Sequence, residues 1–281
     1  KENIHAHYDL GNDLFAAFLD PSMAYSCAYF EDTSLSLAQA QEAKYRRVVD
    51  FLHLQAGDRV LEIGCGWGGF ALYAAEKTGC TVLGITISEN QLALARDKAR
   101  AQGLDHLVSF ALMDYRDITP EFDAIVSIEM LEAVGHAYHR EFFAALDRIL
   151  APGGQVFLQF IAIHDQRYNA YRFQGDWTRK HIFPGGLLPS LTRVLEVMRD
   201  ETGFTLRRLE SIGPDYARTL AMWRENFLAC PDHLEAMGYD QFFRRTWEYY
   251  LAYCQAGFSC RVIDNYQILL ARPEGLGPRN E

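Results

Sequence analysis

The chain has 281 residues, 49% of them hydrophobic, and a formal net charge of −10 at pH 7. That length permits one large domain, or a core of about 150 residues with an added cap, and the acidic balance argues against general nucleic-acid binding. No apolar run approaches the roughly 20 residues that span a bilayer, and no signal peptide is visible, so a cytoplasmic location is expected. Six scattered cysteines without a Cys-x-x-Cys pair read as reduced, mostly buried thiols, with no zinc site. Charge is uneven: residues 165–224 hold ten basic and seven acidic side chains, which suits either anionic headgroups or an ordinary solvated face. The chain begins at Lys1 and not at a methionine, so a longer parent protein is expected.

From residue 36 helical and strand patterns alternate, the signature of an α/β fold with a mostly parallel sheet. Ser36 and Gln39 form a capping-box pattern for a helix reaching about Leu52. Strands are expected at Arg59–Ile63, Thr81–Ile85, Val108–Leu112, Ala124–Ile128 and Val156–Ile163. Uninterrupted apolar strands of this kind are buried on both faces. A second capping-box pattern, Ser88 to Gln91, opens a helix to about Ala101, and another helix runs from about His139 to Leu150. Pro152-Gly153-Gly154 then reads as the turn into the fifth strand, and residues 165–189 as a long aromatic loop. Helices at Pro189–Glu201, Tyr216–Cys230 and Asp240–Ala256 and strands at Thr205–Ile212 and Arg261–Ala271 complete a seven-stranded sheet with an antiparallel edge. The organisation expected is an N-terminal lid over residues 1–35 and a main domain over 36–281, with a lid insertion at about 165–190.

Ligands of open α/β sheets sit beyond the carboxyl ends of the strands. Here those ends carry Gly64–Gly69, Thr86, Asp114 and Tyr115, Glu129–Glu132 and Ile161–Asp165. Closely spaced glycines between a strand and a helix let the backbone approach a nucleotide, although a plain strand–turn–helix connection uses the same pattern. The spacing Gly64-x-Gly66-x-Gly68 is shorter than the dinucleotide fingerprint, and the acidic residue that a dehydrogenase carries after its second strand is missing. The loop with Glu62 before it resembles motif I of S-adenosylmethionine-dependent methyltransferases, whose sulfonium cofactor brings no pyrophosphate to a helix N-terminus.

Further segments occur in order: His7–Phe15, Tyr25–Phe30, Gly84–Ser88, Asp114–Asp117, Glu129–Gly135, Ile182–Gly186 and Trp247–Leu251. Together with Glu62–Gly69 they resemble the catalytic domain of cyclopropane-fatty-acyl-phospholipid synthases and mycolic acid cyclopropane synthases, from about Asn3 to Pro273. The resemblance implies a class I methyltransferase fold. The implied reaction transfers a methylene carbon from S-adenosylmethionine to the cis double bond of an unsaturated acyl phospholipid, with bicarbonate as base and no metal. It implies cofactor contacts at Tyr25, Ser26, Gly64, Gly66, Thr86, Gln91, Asp114 and Tyr115, although Gln91 also fits the cap of its helix. It places Cys27, Glu132 and Tyr250 around the bicarbonate, with Tyr249 as the alternative register for the tyrosine.

Two positions depart from the family pattern. Gln159 stands where the family carries histidine on the fifth strand; its amide donates a hydrogen bond but shuttles no proton. Plant-type cyclopropane synthases resemble the chain here. Glu129 stands where family members often carry glycine. The alternatives are a methylene- or methyl-branched product, the latter made with a partner reductase, and methylation of a small molecule at nitrogen or carbon. A homodimer, peripheral contact with the inner membrane surface and an N-terminal lipid-binding domain outside this sequence complete the expectations.

Overall fold

A computed structural model describes residues 11–119 and 121–273; the first part of the expected lid, with His7–Leu10, and the tail after Pro273 lie outside the described residues. A short helix α1 (Asn12–Ala16) precedes α2 (Leu37–Leu52), which starts at the expected box: Ser36 Oγ accepts from the Gln39 N–H and the Gln39 side chain accepts from the Ser36 N–H. Then follow β1 (Arg59–Ile63), α3 (Gly69–Thr78), β2 (Thr81–Thr86), α4 (Glu89–Ala101), β3 (Val108–Leu112) and β4 (Phe122–Ile128). A turn of helix α5 (Leu131–Val134) leads to α6 (His139–Ile149) and β5 (Leu150–Ile163). The remainder is α7 (Asp165–Tyr171), α8 (Trp177–His181), α9 (Leu191–Glu201), β6 (Thr205–Ser211), α10 (Gly213–Leu228), α11 (Pro231–Ala236), α12 (Gln241–Ser259) and β7 (Ile263–Ala271).

The sheet order is β3-β2-β1-β4-β5-β7-β6; the first five strands are parallel, and β7 pairs antiparallel with both β5 and β6. Every expected strand is present, but β5 is longer than its pattern. Pro152-Gly153-Gly154 lies inside it as an irregularity, because Phe122 pairs with Leu150 and Ala124 already pairs with Gln155. The aromatic stretch 165–189 is no simple loop, since α7 and α8 form within it; Asp176 caps α8 by accepting from the Arg179 N–H at 3.0 Å. The expected helix from Tyr216 to Cys230 starts earlier, with Pro214 in its first turn, and Pro231 opens a separate helix.

Strand alternation sorts the core into two layers. Val60, Val82 and Val126 face Tyr45, Val48, Phe70 and Ala95 of α2, α3 and α4. Leu61, Ile85 and Ile125 face Phe142, Leu146, Val194 and Val197 of α6 and α9. A third cluster joins the N-terminal segment to α10, α12 and the 165–189 insertion through Phe15, Phe18, Trp223, Trp247 and Tyr250. At the opposite end of the sheet Arg272 is buried, donating to the carbonyl of Leu150 at 3.0 Å and to the Asp147 carboxylate at 3.0 Å. Removing one partner of such a pair strands a charge in low dielectric. Asp147→Ala is expected to cost about 3–5 kcal/mol of unfolding free energy in urea titration.

Candidate active site

The loop after β1 turns because both Gly64 and Cys65 N–H groups donate to the Ile85 carbonyl at 3.0 Å. Gly64 has φ +78°, and a Cβ there would come within 2.8 Å of Met130 Cγ, so neither its conformation nor its space admits a side chain. The loop borders a cavity of about 400 Å³. Tyr25, Ser26, Gly64, Gly66, Thr86, Gln91, Asp114 and Tyr115 all line it, so the eight residues expected to hold a cofactor come together from five parts of the chain.

Their chemistry suits a cationic, nucleoside-bearing ligand. Glu62 lines the cavity with its Oε2 buried and without a protein partner, and burial pushes its carboxyl up to about 8. A positively charged ligand group is the partner such an oxygen lacks. The Thr86 hydroxyl donates to Gln91 Oε1 at 2.7 Å, and Ser88 Oγ accepts from the Gln91 N–H at 3.3 Å. The expected second capping box is therefore only half formed: the Gln91 side chain turns to Thr86, which leaves its amide N–H groups for the cavity. Asp114 Oδ2 accepts from Arg116 Nη2 at 2.7 Å, so it meets the cavity as half of an ion pair.

The inner wall is organised by Glu129, at φ +52°, a conformation costly for any residue with a Cβ. Its Oε1 accepts from the Cys27 N–H at 2.9 Å, Gln159 Nε2 at 2.9 Å and Asn265 Nδ2 at 2.7 Å, and its Oε2 from the Tyr216 hydroxyl at 2.6 Å. Gln159 cannot turn away, because its Oε1 accepts from Gln267 Nε2 at 2.9 Å, whose own oxygen accepts from Arg47 Nε at 2.7 Å. Lys44, fully buried on α2, donates to Ser26 Oγ at 2.6 Å; burial lowers its ammonium to about 8 against the opposing pull of Glu129. Burial and the Glu129 charge hold the Tyr216 and Cys27 protons in place.

The four residues expected at the reacting centre are thus not equivalent. Cys27 and Gln159 act as donors to Glu129. Glu132 Oε1 accepts from the Ile161 N–H at 2.5 Å while Oε2 is buried without a partner. Tyr250 shares a hydrogen bond with the Tyr25 hydroxyl at 2.7 Å. Its neighbour Tyr249, the alternative register, is half exposed and meets Trp177 edge-to-face outside the site. Sequence reasoning missed Lys44, Tyr216 and Asn265, which lie on α2, α10 and β7 with no motif around them. Among the described residues no three His, Cys, Asp or Glu side chains are arranged for a metal ion.

The family model of mycolic acid cyclopropane synthetase matches residues 1–268. The chain belongs to this family. The tuberculostearic acid methyltransferase UfaA1 of Mycobacterium tuberculosis is 44% identical over 97% of this chain and 65% of its own length. The cyclopropane-fatty-acyl-phospholipid synthase of Escherichia coli K12 is 41% identical over 95% of this chain and 66% of its own. The chain therefore spans just under two thirds of the length of these relatives. Among solved structures, the cyclopropane synthase MmaA2 from Mycobacterium tuberculosis superposes with a TM-score of 0.89 at 34% identity, covering 96% of this chain and 97% of that one. The mycolic acid cyclopropane synthase CmaA1, solved in complex with SAH and CTAB, gives 0.89 at 32% identity with the same coverage.

Seen as a cyclopropane synthetase family member, the chain offers no ready seat for the bicarbonate that the resemblance implied. The Cys27 N–H and the Gln159 amide already donate to the chain's own Glu129 carboxylate. Next to it, burial first and the Glu129 charge second push the Glu132 carboxyl up to about 8. The folded state thus holds a proton that the unfolded chain releases near 4.5, so this group's stabilisation is full below that pH and is lost as pH rises through 8. Glu62 contributes with the same sign over the same window. Glu132→Gln is expected to flatten part of the fall in stability between pH 5 and pH 8, read from denaturant midpoints, and Glu62→Gln/Glu132→Gln more of it.

Proposed function

We propose that the chain is the catalytic part of an S-adenosylmethionine-dependent methyltransferase that adds one carbon to the cis double bond of an unsaturated fatty acyl phospholipid, closing a cyclopropane. The observation that carries this reading is a carboxylate fixed by four donors on the wall of the cofactor-sized cavity, under a roof of aromatic rings. The cofactor, when bound, supplies an electrophilic methyl group, and an alkene that takes it up becomes a carbocation. Glu62 and the Thr86–Gln91 pair would hold the cofactor's polar ends.

The chain's own residues then have two tasks. The first is to shelter a cation from water. Tyr25 lies 5.1 Å from Phe15 and 5.4 Å from Trp223 between ring centroids, and Tyr250 lies 5.6 Å from Phe183. Desolvated ring faces stabilise a cation by about 0.5–2 kcal/mol each. The second is to take a proton. Glu129 Oε1 is saturated by three donors, whereas Oε2 accepts one, so Oε2 has a lone pair for the proton that leaves the newly added methyl group as the ring closes. A carboxylate belonging to the chain thereby does the work that the resemblance assigned to bicarbonate, and a glutamine on β5 then suffices as an orienting donor.

A second product has one specific support: the relative at 44% identity is named a methyltransferase and not a cyclopropane synthase. A 1,2-hydride shift that moves the cation onto the methyl-bearing carbon, followed by loss of a proton from that methyl group, would give a methylene branch instead. Incubation with methyl-labelled S-adenosylmethionine and cis-monounsaturated phospholipid vesicles, followed by derivatisation and mass spectrometry, separates ring from alkene. A labelled ring is the expected result; a labelled alkene moves the product to the branch, and no label in any lipid sinks the lipid reading. Glu129→Gln, which keeps the shape and most of the acceptor capacity, is expected to lower kcat by about 10²–10⁴-fold while cofactor affinity measured by calorimetry stays unchanged.

A further inference from the structure

Behind the connection from α5 to α6 lies a cluster of polar groups with no part in the chemistry above. Arg172 Nη1 donates to His136 Nε2 at 2.8 Å, and since a guanidinium only donates, the His136 proton is on Nδ1. Nδ1 therefore donates to the Tyr168 hydroxyl at 2.6 Å, which leaves the Tyr168 proton free to point elsewhere. His139 is 1% exposed, its ring centroid 6.1 Å from that of His136, and neither of its nitrogens has a protein partner. The Nε atoms of Arg172 and Arg193 are buried and equally unpartnered.

Two guanidiniums with buried, unpartnered Nε atoms give the cluster its charge. Among the described residues neither Arg172 nor Arg193 makes an ion pair, whereas Arg140, close by in sequence, pairs with Glu201 at 2.9 Å. The nearby acid, Asp165, is engaged by the Thr192 N–H at 2.9 Å. The two helices that meet here add charge of the same sign, because His139 begins α6 and Arg193 lies in the first turn of α9. Burial first and the Arg193 charge second lower the His139 imidazole to about 4 and keep it neutral, so Arg193 is the cation that opposes a helix dipole here, and an anion beside it would offset that repulsion. Two guanidiniums with supporting O–H and N–H donors match a phosphate group in particular.

The position adds a source. Tyr138, between the two histidines, lines the cofactor cavity and is 54% exposed; Phe173, under the Arg172 guanidinium at 4.4 Å, is 78% exposed. Exposed aromatic rings beside basic groups are the side chains that settle at a membrane–water interface. We propose that Arg172, Arg193, Tyr168 and His139 form a receptor for a phosphate group, occupied by the phosphodiester of the lipid whose acyl chain is in the active site. The choice of a lipid phosphate rests on the acyl-phospholipid reading; the phosphate site itself does not.

The test compares the parent chain with Arg172→Gln/Arg193→Gln. Inorganic phosphate titrated by calorimetry is expected to bind the parent saturably and the variant at least tenfold more weakly. With dioleoylphosphatidylglycerol vesicles the KM is expected to rise about 10–100-fold at unchanged kcat, while turnover of phosphate-free diolein in neutral detergent does not change. Arg172→Lys/Arg193→Lys, which keeps the charge, recovers part of the phosphate affinity, and unchanged cofactor binding in every variant reports an intact fold. Equal phosphate binding by parent and Gln variant overturns the site. Loss of phosphate binding with an unmoved lipid KM overturns the lipid assignment and leaves free phosphate as the ligand. If the parent turns over no lipid, the catalytic reading fails separately, and co-sedimentation with the same vesicles decides: loss in the Gln variant supports the lipid phosphate, and no loss overturns it.

Discussion

The carboxylate of Glu129 is where four separate parts of the chain meet. A charge that is half-buried against a low-dielectric wall is stabilised when its hydrogen-bonding capacity is met, and here the donors come from the N-terminal segment, β5, β7 and α10. None of these elements shares a strand pair or helix face with all the others. The requirement to satisfy one carboxylate therefore fixes how the covering segments sit on the sheet, and the strained backbone at Glu129 is held by the same set of bonds. Lys44 supplies a positive charge from below without touching the carboxylate, holding Ser26 in the same arrangement.

The antiparallel insertion of β7 gives this arrangement its direction. Gln267 lies opposite Gln159 in the ladder, so its amide nitrogen meets the Gln159 oxygen and turns the Gln159 nitrogen toward Glu129. Arg47 sets the orientation of Gln267 in turn and also pairs with Glu210 on β6. An amide has no charge of its own to orient it, and this relay supplies the missing preference from the far edge of the sheet.

The cavity lined by the glycine loop was legible in the sequence because its signals are local. Glycine spacing, the strand before it and the helix after it lie within the twenty consecutive residues 59–78, and the caps at Ser36 and Ser88 announce the helices that follow. The wall around Glu129 was approached only through family resemblance, and then incompletely. Glu129 stood out as an acidic side chain at a glycine position, which is the one clue that a left-handed backbone leaves in a sequence. Its partners Tyr216 and Asn265 follow it by 87 and 136 positions, and no periodicity connects them. The early start of β5 and the short helices α7 and α8 escaped for the opposite reason: prolines, glycines and aromatics mark irregular backbone, and only tertiary pairing decides what such segments become.

The missing side chain at Gly64 has its own consequence. Met130, adjacent to Glu129, occupies the space that a Cβ at Gly64 would need, with Phe110 closing in the same way over Gly68. The glycine loop after β1 and the loop that carries the Glu129 carboxylate are thus in direct contact, with one methionine side chain filling the space between them. Any lineage that enlarges one loop must thin the other, so these two stretches are free to diverge only as a pair.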